Sequence, residues 1–227
     1  MKLFKSTLLS LSLFASTLVF AQEDTTTEEV AIEEPTFSIS GSVDTYYRSS
    51  EYAPGTSFGN LPGFALGMAN VVLSYEGEKS GFVADLVFGP RGADAVFNST
   101  GSSNIVNQLY AYYNVSDSFT LTLGNFNTFL GYEVISPVAN FNYTTSYMFS
   151  YGPFSHTGIK ADIAVSDDVS IMLGVLNSTD MTEFQPLGDD YMFGAQVGLF
   201  GQYINYLGGG TAGVSQIDFT GGINITD

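Results

Sequence analysis

Asn107–Asn125, NQLYAYYNVSDSFTLTLGN, is the stretch whose reading decides the fold. Two arms of alternating character flank a short polar turn, Val115-Ser116-Asp117-Ser118. On the first arm Leu109, Ala111, Tyr113 and Val115 share one face, and Gln108, Tyr110, Tyr112 and Asn114 share the other. On the second, Phe119, Leu121 and Leu123 alternate with Thr120, Thr122 and Gly124. A period of two gives each strand one apolar and one polar face. The unit recurs along the chain, so the whole reads as hairpins rolled into an all-β, antiparallel, up-and-down barrel. Whether its apolar face points inward or into lipid is decided by the rest of the sequence.

Working outward, Phe37, Ile39, Val43, Thr45 and Tyr47 alternate with Ser38, Ser40, Ser42, Asp44, Tyr46 and Arg48. A Gly- and Pro-rich loop from Ser49 to about Gly63 leads to a second strand near Ala65–Glu76, then a turn and a third strand carrying Phe82, Ala84, Leu86 and Phe88. A second loop, GPRGADAVFNSTGSS, precedes the central hairpin, and a third, the longest, runs from about Phe126 to Ser155. Thr157–Val165, Val169–Leu176, Tyr191–Phe200, Gln202–Leu207 and Val214–Ile225 complete about ten strands. Short and long connections alternate, as in outer-membrane barrels with tight periplasmic turns and extended outer loops. Val115-Ser116-Asp117, Val165-Ser166-Asp167 and Ile225-Thr226-Asp227 are three versions of one turn. The third falls where the sequence stops, and barrels of this kind commonly finish on an aromatic residue. The expectation is therefore a larger barrel truncated at its C-terminus, the alternative being a complete ten-stranded barrel with an unusual end.

Before the strands, Met1–Ala21 has the form of a secretory leader: Lys2 and Lys5, an apolar run from Leu8 to Phe20, and a small-residue cleavage site at Ala21. The run is too short for the ~20 residues of a membrane-spanning helix. Residues 22–35, QEDTTTEEVAIEEP, form an acidic, Thr-rich segment without periodicity, expected to be a disordered linker in the periplasm. The barrel domain is assigned to 36–227.

Composition favours lipid outside. Hydrophobic residues make up 44% of the chain, but charged residues only 13%, against about 25% for soluble proteins. After the leader the only basic residues are Arg48, Lys79, Arg91 and Lys160. A water-facing barrel would present Ser, Thr, Asn, Gly and Tyr with almost no charge, a poor solvent surface. Strand charges (Asp44, Arg48, Asp85, Lys160 and Asp162) all fall on the face opposite the large apolar residues. A Lys or Arg facing lipid at mid-depth costs roughly 2–4 kcal/mol, so these residues are expected to line the lumen, together with Gln108 and Tyr110. Tyr47, Tyr75, Tyr113 and Tyr191 near strand ends suit interfacial girdles.

The net charge of -17 argues against nucleic acid, whose phosphates require clustered Lys and Arg. It also allows a cation-favouring vestibule. With no Cys there is neither a disulfide framework nor a thiolate site, and a single His excludes a His-based zinc centre. Ser155 and His156 are adjacent, which sends their side chains to opposite faces of a strand and weakens any nucleophilic pair. Gly208–Gly213, GGGTAG, is not followed by a helix and reads as a loop, not a phosphate cradle.

The third loop, FNTFLGYEVISPVANFNYTTSYMFSYGPFSHTG from Phe126 to Gly158, is too long and too aromatic for a plain connector. It can fold into the pore as a constriction lined by Tyr132, Glu133, Asn140, Asn142 and His156, or pack as an outer cap; both readings stand. Here the chain resembles the OmpL-like putative β-barrel porins of Gram-negative bacteria. The residues that carry the likeness are Asn127-Thr128-Phe129-Leu130-Gly131-Tyr132-Glu133, Ser136-Pro137, Asn140-Phe141-Asn142-Tyr143-Thr144 and Phe149 to Gly158. It extends from about Phe37 to the end, and members of the family look longer. The resemblance implies an outer-membrane porin: a passive channel for small hydrophilic solutes, with no catalytic residues, no metal and no cofactor. Expected partners are outer-membrane lipid and the solutes, with a homo-oligomer allowed for. The competing readings are a plugged structural or adhesive barrel and a channel specific for one solute.

Overall fold

The structure, a computed structural model, describes residues 34–223 apart from 54, 57, 59, 60, 97, 100, 185–187, 189 and 212. The expected leader, most of the acidic linker and the turn at Ile225-Thr226-Asp227 lie outside the described residues. Ten strands follow in order: β1 (Thr36–Arg48), β2 (Gly63–Glu76), β3 (Ser80–Phe88), β4 (Val106–Ser116), β5 (Phe119–Asn127), β6 (Ser155–Ser166), β7 (Val169–Leu176), β8 (Met192–Leu199), β9 (Gln202–Gly209) and β10 (Val214–Thr220). Each pairs antiparallel with the next, so the sheet is a simple meander in sequence order. Among the described residues β1 and β10 are its two edges, each paired with a single strand.

The central hairpin is β4–β5, with Leu109 opposite Asn125, Tyr112 opposite Thr122 and Ser116 opposite Phe119. Its register shifts between Asn114 and Ser116, and that of β6–β7 shifts between Ala164 and Ser166. The repeated Val-Ser-Asp turn is thus a repeated bulge, in which the Ser hydroxyl accepts from the amide two residues on: Ser118 N–H in one, Asp168 N–H in the other, both at 3.4 Å. An extra residue next to a tight turn increases twist and helps the sheet to curl. The β8–β9 turn is made differently, with Phe200 and Gly201 both at positive φ (52° and 75°), the pairing a two-residue type I′ turn requires.

The tight turns lie at one end of the strands and the long connections at the other. The β9–β10 connection, which shares the end of the long ones, is short and departs from the alternation. The second loop is more ordered than a plain connector. Pro90 sits in the first turn of a short helix α1 (Pro90–Ala95), and a 3₁₀ turn spans Gly101–Ile105. Pro90 is suited to that place because its missing N–H is one the helix would not use. The third loop likewise holds a 3₁₀ turn, Pro137–Ala139, and a helix α2 (Tyr147–Tyr151), whose Ser146 hydroxyl accepts from Phe149 N–H at 3.2 Å.

The two faces of the sheet differ in kind. One displays Phe64 (90% exposed), Val43 (77%), Ile217 (76%) and Phe219 (67%), with Ile39, Leu66, Leu109, Leu123, Leu173, Phe193 and Ile204 also exposed. Among the described residues, nothing packs on it along most of its extent. Tyr75 stacks on Phe82 near the tight-turn end, and Tyr47 lies against Phe64 near the other. The opposite, inner face carries the polar residues, and both buried apolar clusters lie on that side. One joins Phe58, Met68, Val87, Ala95, Val96, Ile135, Phe149 and Phe154; the other joins Phe126, Leu130, Leu176, Met192 and Leu207. The core is therefore built between the long connections and the inner face of the sheet.

Candidate functional site

The inner face holds Ser42, Asp44, Tyr46 and Arg48 on β1; Asn70 and Ser74 on β2; Asp85 on β3; Gln108, Tyr110 and Tyr112 on β4; Thr120 and Thr122 on β5; Lys160 and Asp162 on β6; Gln196 on β8; Asn205 on β9; and Asp218 on β10. Asp44, Arg48, Asp85, Gln108, Tyr110, Lys160 and Asp162 share this face by strand register. Asp85 is buried, with one oxygen accepting from Asn70 Nδ2 at 3.2 Å and the other from Asn107 Nδ2 at 2.7 Å. Gln108 Oε1 accepts from Asn127 N–H at 3.1 Å. Lys160 and Asp162 form an ion pair at 2.5 Å, with the ammonium 5.5 Å from the centre of the Phe126 ring. Arg48 lies half-buried at the end of β1.

The connection 128–154 lies across this face. It leaves and rejoins the sheet through a closed neck, where Thr128 N–H donates to the Phe154 carbonyl at 3.0 Å and the Thr128 hydroxyl meets His156 Nε2 at 3.0 Å. Asp180, from the β7–β8 connection, fastens the return: one carboxylate oxygen accepts from Phe154 N–H at 2.7 Å and Ser155 N–H at 2.8 Å. Burial pushes that carboxyl above its ordinary range, and the two amides only partly offset the shift.

Beyond the neck the loop reaches both edges of the sheet. At one, Gly131 N–H donates to Asp218 of β10 at 2.9 Å. At the other, the Tyr143 hydroxyl donates to Asp44 of β1 at 2.7 Å, and its ring packs against Tyr46 with centroids 5.4 Å apart. Burial and the adjoining Asp44 raise the phenol well above its usual range, so it remains a donor. Close approach of the loop depends on missing side chains at β2 and β8. A Cβ on Gly67 would collide with the Asp44 carboxylate and come within 3.0 Å of the Tyr143 hydroxyl. One on Gly194 would lie 2.7 Å from Phe129 Cζ.

Arg91 of α1 holds the middle of the loop. Its Nε donates to the Ile135 carbonyl at 3.0 Å and a terminal nitrogen to the Tyr143 carbonyl at 3.1 Å. The guanidinium lies over Phe58 at 4.3 Å and Tyr143 at 5.5 Å from the ring centres. It is 4% exposed, and that burial lowers its pKa against the raising influence of Tyr143, Asp44 and Glu133. A planar fork serving two carbonyls and two rings at once is a task for Arg and not for Lys.

The residues expected to line a constriction are dispersed along the loop. Glu133 accepts from Ser146 N–H at 2.9 Å and from the Ser146 hydroxyl, closing the loop on the start of α2. Asn140 pairs with the backbone of Val134 through both halves of its amide, at 2.8 and 2.7 Å. Tyr132 and Asn142 are exposed. His156 is 0% exposed, lying 4.9 Å from the Phe129 ring, and offers packing but no open surface. The fastening is carried by residues that the sequence reading did not place in a site: Arg91, Tyr143, Asp180, Asp218, Gly67 and Gly194. Arg91 left a trace as a rare basic residue in a Gly-rich stretch and Tyr143 as part of the family-like stretch Asn140–Thr144; the others signal nothing until their partners are known.

An antiparallel meander with an exposed apolar outer face, a polar inner face and a long connection lying across it is the architecture of the β-barrel porins. The chain belongs to the family described as putative beta-barrel porin-2, OmpL-like, whose family model matches residues 36–221. That family is one of outer-membrane porins as a class. No curated protein matches the chain.

Proposed function

We propose that the protein is a passive outer-membrane channel for small hydrophilic solutes. The observation that carries this reading is the inverted polarity of the sheet. Exposed apolar side chains as large as Phe64, Ile217 and Phe219 clad the outside, while Asp44, Asn70, Tyr110, Thr122 and Gln196 face in. In water the outer face would be an aggregation surface; against hydrocarbon it needs no further partner. The connection 128–154, lying on the inner face and tied to β1 and β10, narrows the passage. Fluctuations of its exposed side chains, among them Tyr132, Phe141 and Tyr151, set the size limit.

Asp44, Asp85, Asp162 and Asp218 outnumber Arg48 and Lys160 on the inner face, and Arg91 is taken up by carbonyls. The channel therefore favours cations weakly. Reconstitution in planar bilayers under a salt gradient tests both statements. A steady ohmic conductance with a reversal potential on the cation side is expected, and an anion-side potential removes the selectivity. Silent insertion favours a plugged barrel instead, a reading to which the firm anchoring of the loop at Asp44, Asp180 and Asp218 lends weight.

A further inference from the structure

We propose that the inner wall around Tyr112, Lys160 and Asp162 is a binding site for a neutral saccharide, an inference that rests on the channel reading above. Tyr112 of β4 faces inward and leans along the wall: its phenol lies across Gly81 of β3, where a Cβ would meet Cζ at 2.5 Å and the hydroxyl closer still. The glycine is what lets the ring lie sideways instead of standing into the passage. On the other side of Tyr112 the paired residue is Thr122, and next to Thr122 is Lys160. Thr122 is itself buried and serves as the wall between them, so the groups that reach the passage are the ring on β4 and the ammonium on β6, a span of roughly 10 Å, the width of one or two sugar rings.

The electrostatics choose the ligand class. Lys160 and Asp162 neutralise each other at 2.5 Å, yet their side chains stay 23% and 41% exposed, so both keep hydrogen-bonding capacity toward the passage. A self-compensated pair gives little net attraction to a carboxylate or an ammonium. It does offer a donor and an acceptor side by side, the pattern that adjacent hydroxyls of a sugar require. Asn114 and Thr120, joined at 2.9 Å, extend the polar edge. The tilted Tyr112 ring supplies an apolar surface for the C–H face of a pyranose. An amphipathic, uncharged, polyhydroxylated molecule fits all three features, whereas a purely apolar or a charged one fits at most one.

The test is current block in planar bilayers by maltotriose, with polyethylene glycol of equal hydrodynamic size as the control. Saturable block by maltotriose and not by the polymer is expected. Tyr112→Leu and Asp162→Asn, each normalised to its own open current, should raise the half-blocking concentration by roughly tenfold, the loss of one good contact. Equal block by both molecules, or variants with unchanged half-block, overturns the saccharide site and leaves the channel standing. Absence of any current overturns the channel reading instead. Tyrosine fluorescence of the detergent-solubilised protein then decides: saturable quenching by maltotriose that Tyr112→Leu abolishes supports the site, and none overturns it.

Discussion

Tyr143 shows how much one hydroxyl holds. Its bond to Asp44 joins residues 99 apart in sequence and fixes the far end of the loop to the first strand. A hydrogen bond to a charged group contributes about 1.5–3 kcal/mol. Tyr143→Phe should release that end locally without unfolding the sheet, giving faster proteolysis within 131–150 and noisier single-channel currents. Unchanged proteolysis would show that the Tyr46 ring contact suffices. Asp180 gives a pH signature. Because its folded pKa is raised, the charged form costs stability, a cost absent below the unfolded carboxylate value of about 4 and complete only above the raised one. Asp180→Asn keeps an oxygen for the Phe154 and Ser155 amides but cannot ionise. In urea unfolding from detergent, wild type should lose stability relative to the variant as pH rises through that window; parallel curves would contradict the burial argument.

At the scale of elements, α1 acts on a distant loop through Arg91. Arg91→Met leaves the Ile135 and Tyr143 carbonyls without their donor and removes the cation over Phe58, so the loop should withdraw and mean open current rise. Arg91→Lys should behave nearer to Met than to wild type, since an ammonium cannot serve both carbonyls from one plane. The same scale shows what the sequence made legible. Strands and faces could be read because alternation is local: Leu109 beside Tyr110 is enough to place both. The Val-Ser-Asp repeat announced its turns for the same reason. The ordering of the second loop into α1 could not be read locally, because the interactions that fix it, with Ile135 and Tyr143, lie 44 and 52 residues away. The course of the third loop was equally illegible, being set by Asp44, Asp218 and the vacant spaces at Gly67 and Gly194. A glycine's role as a seat for another residue is invisible in one dimension.

For the whole molecule, the polarity of the sheet is the property most exposed to test. Leu123→Arg or Leu173→Arg, on the outward face in mid-strand, should destabilise the protein in vesicles by roughly 2–4 kcal/mol. Thr120→Arg, on the inner face of the same strand as Leu123 and directly opposite Asp162, is expected to cost far less, because its head group can pair with that carboxylate. Equal penalties would mean that both faces meet the same medium.

The fastening of one connection to both margins of the sheet has a mechanical corollary. Gly131 grips β10 and Tyr143 grips β1, so the segment between them works as a tie-rod across the inner face. A thinner or laterally stretched bilayer that splays the staves pulls this rod taut, and a thicker one slackens it. Permeability should then follow acyl-chain length, and cutting the rod at either grip should abolish that dependence.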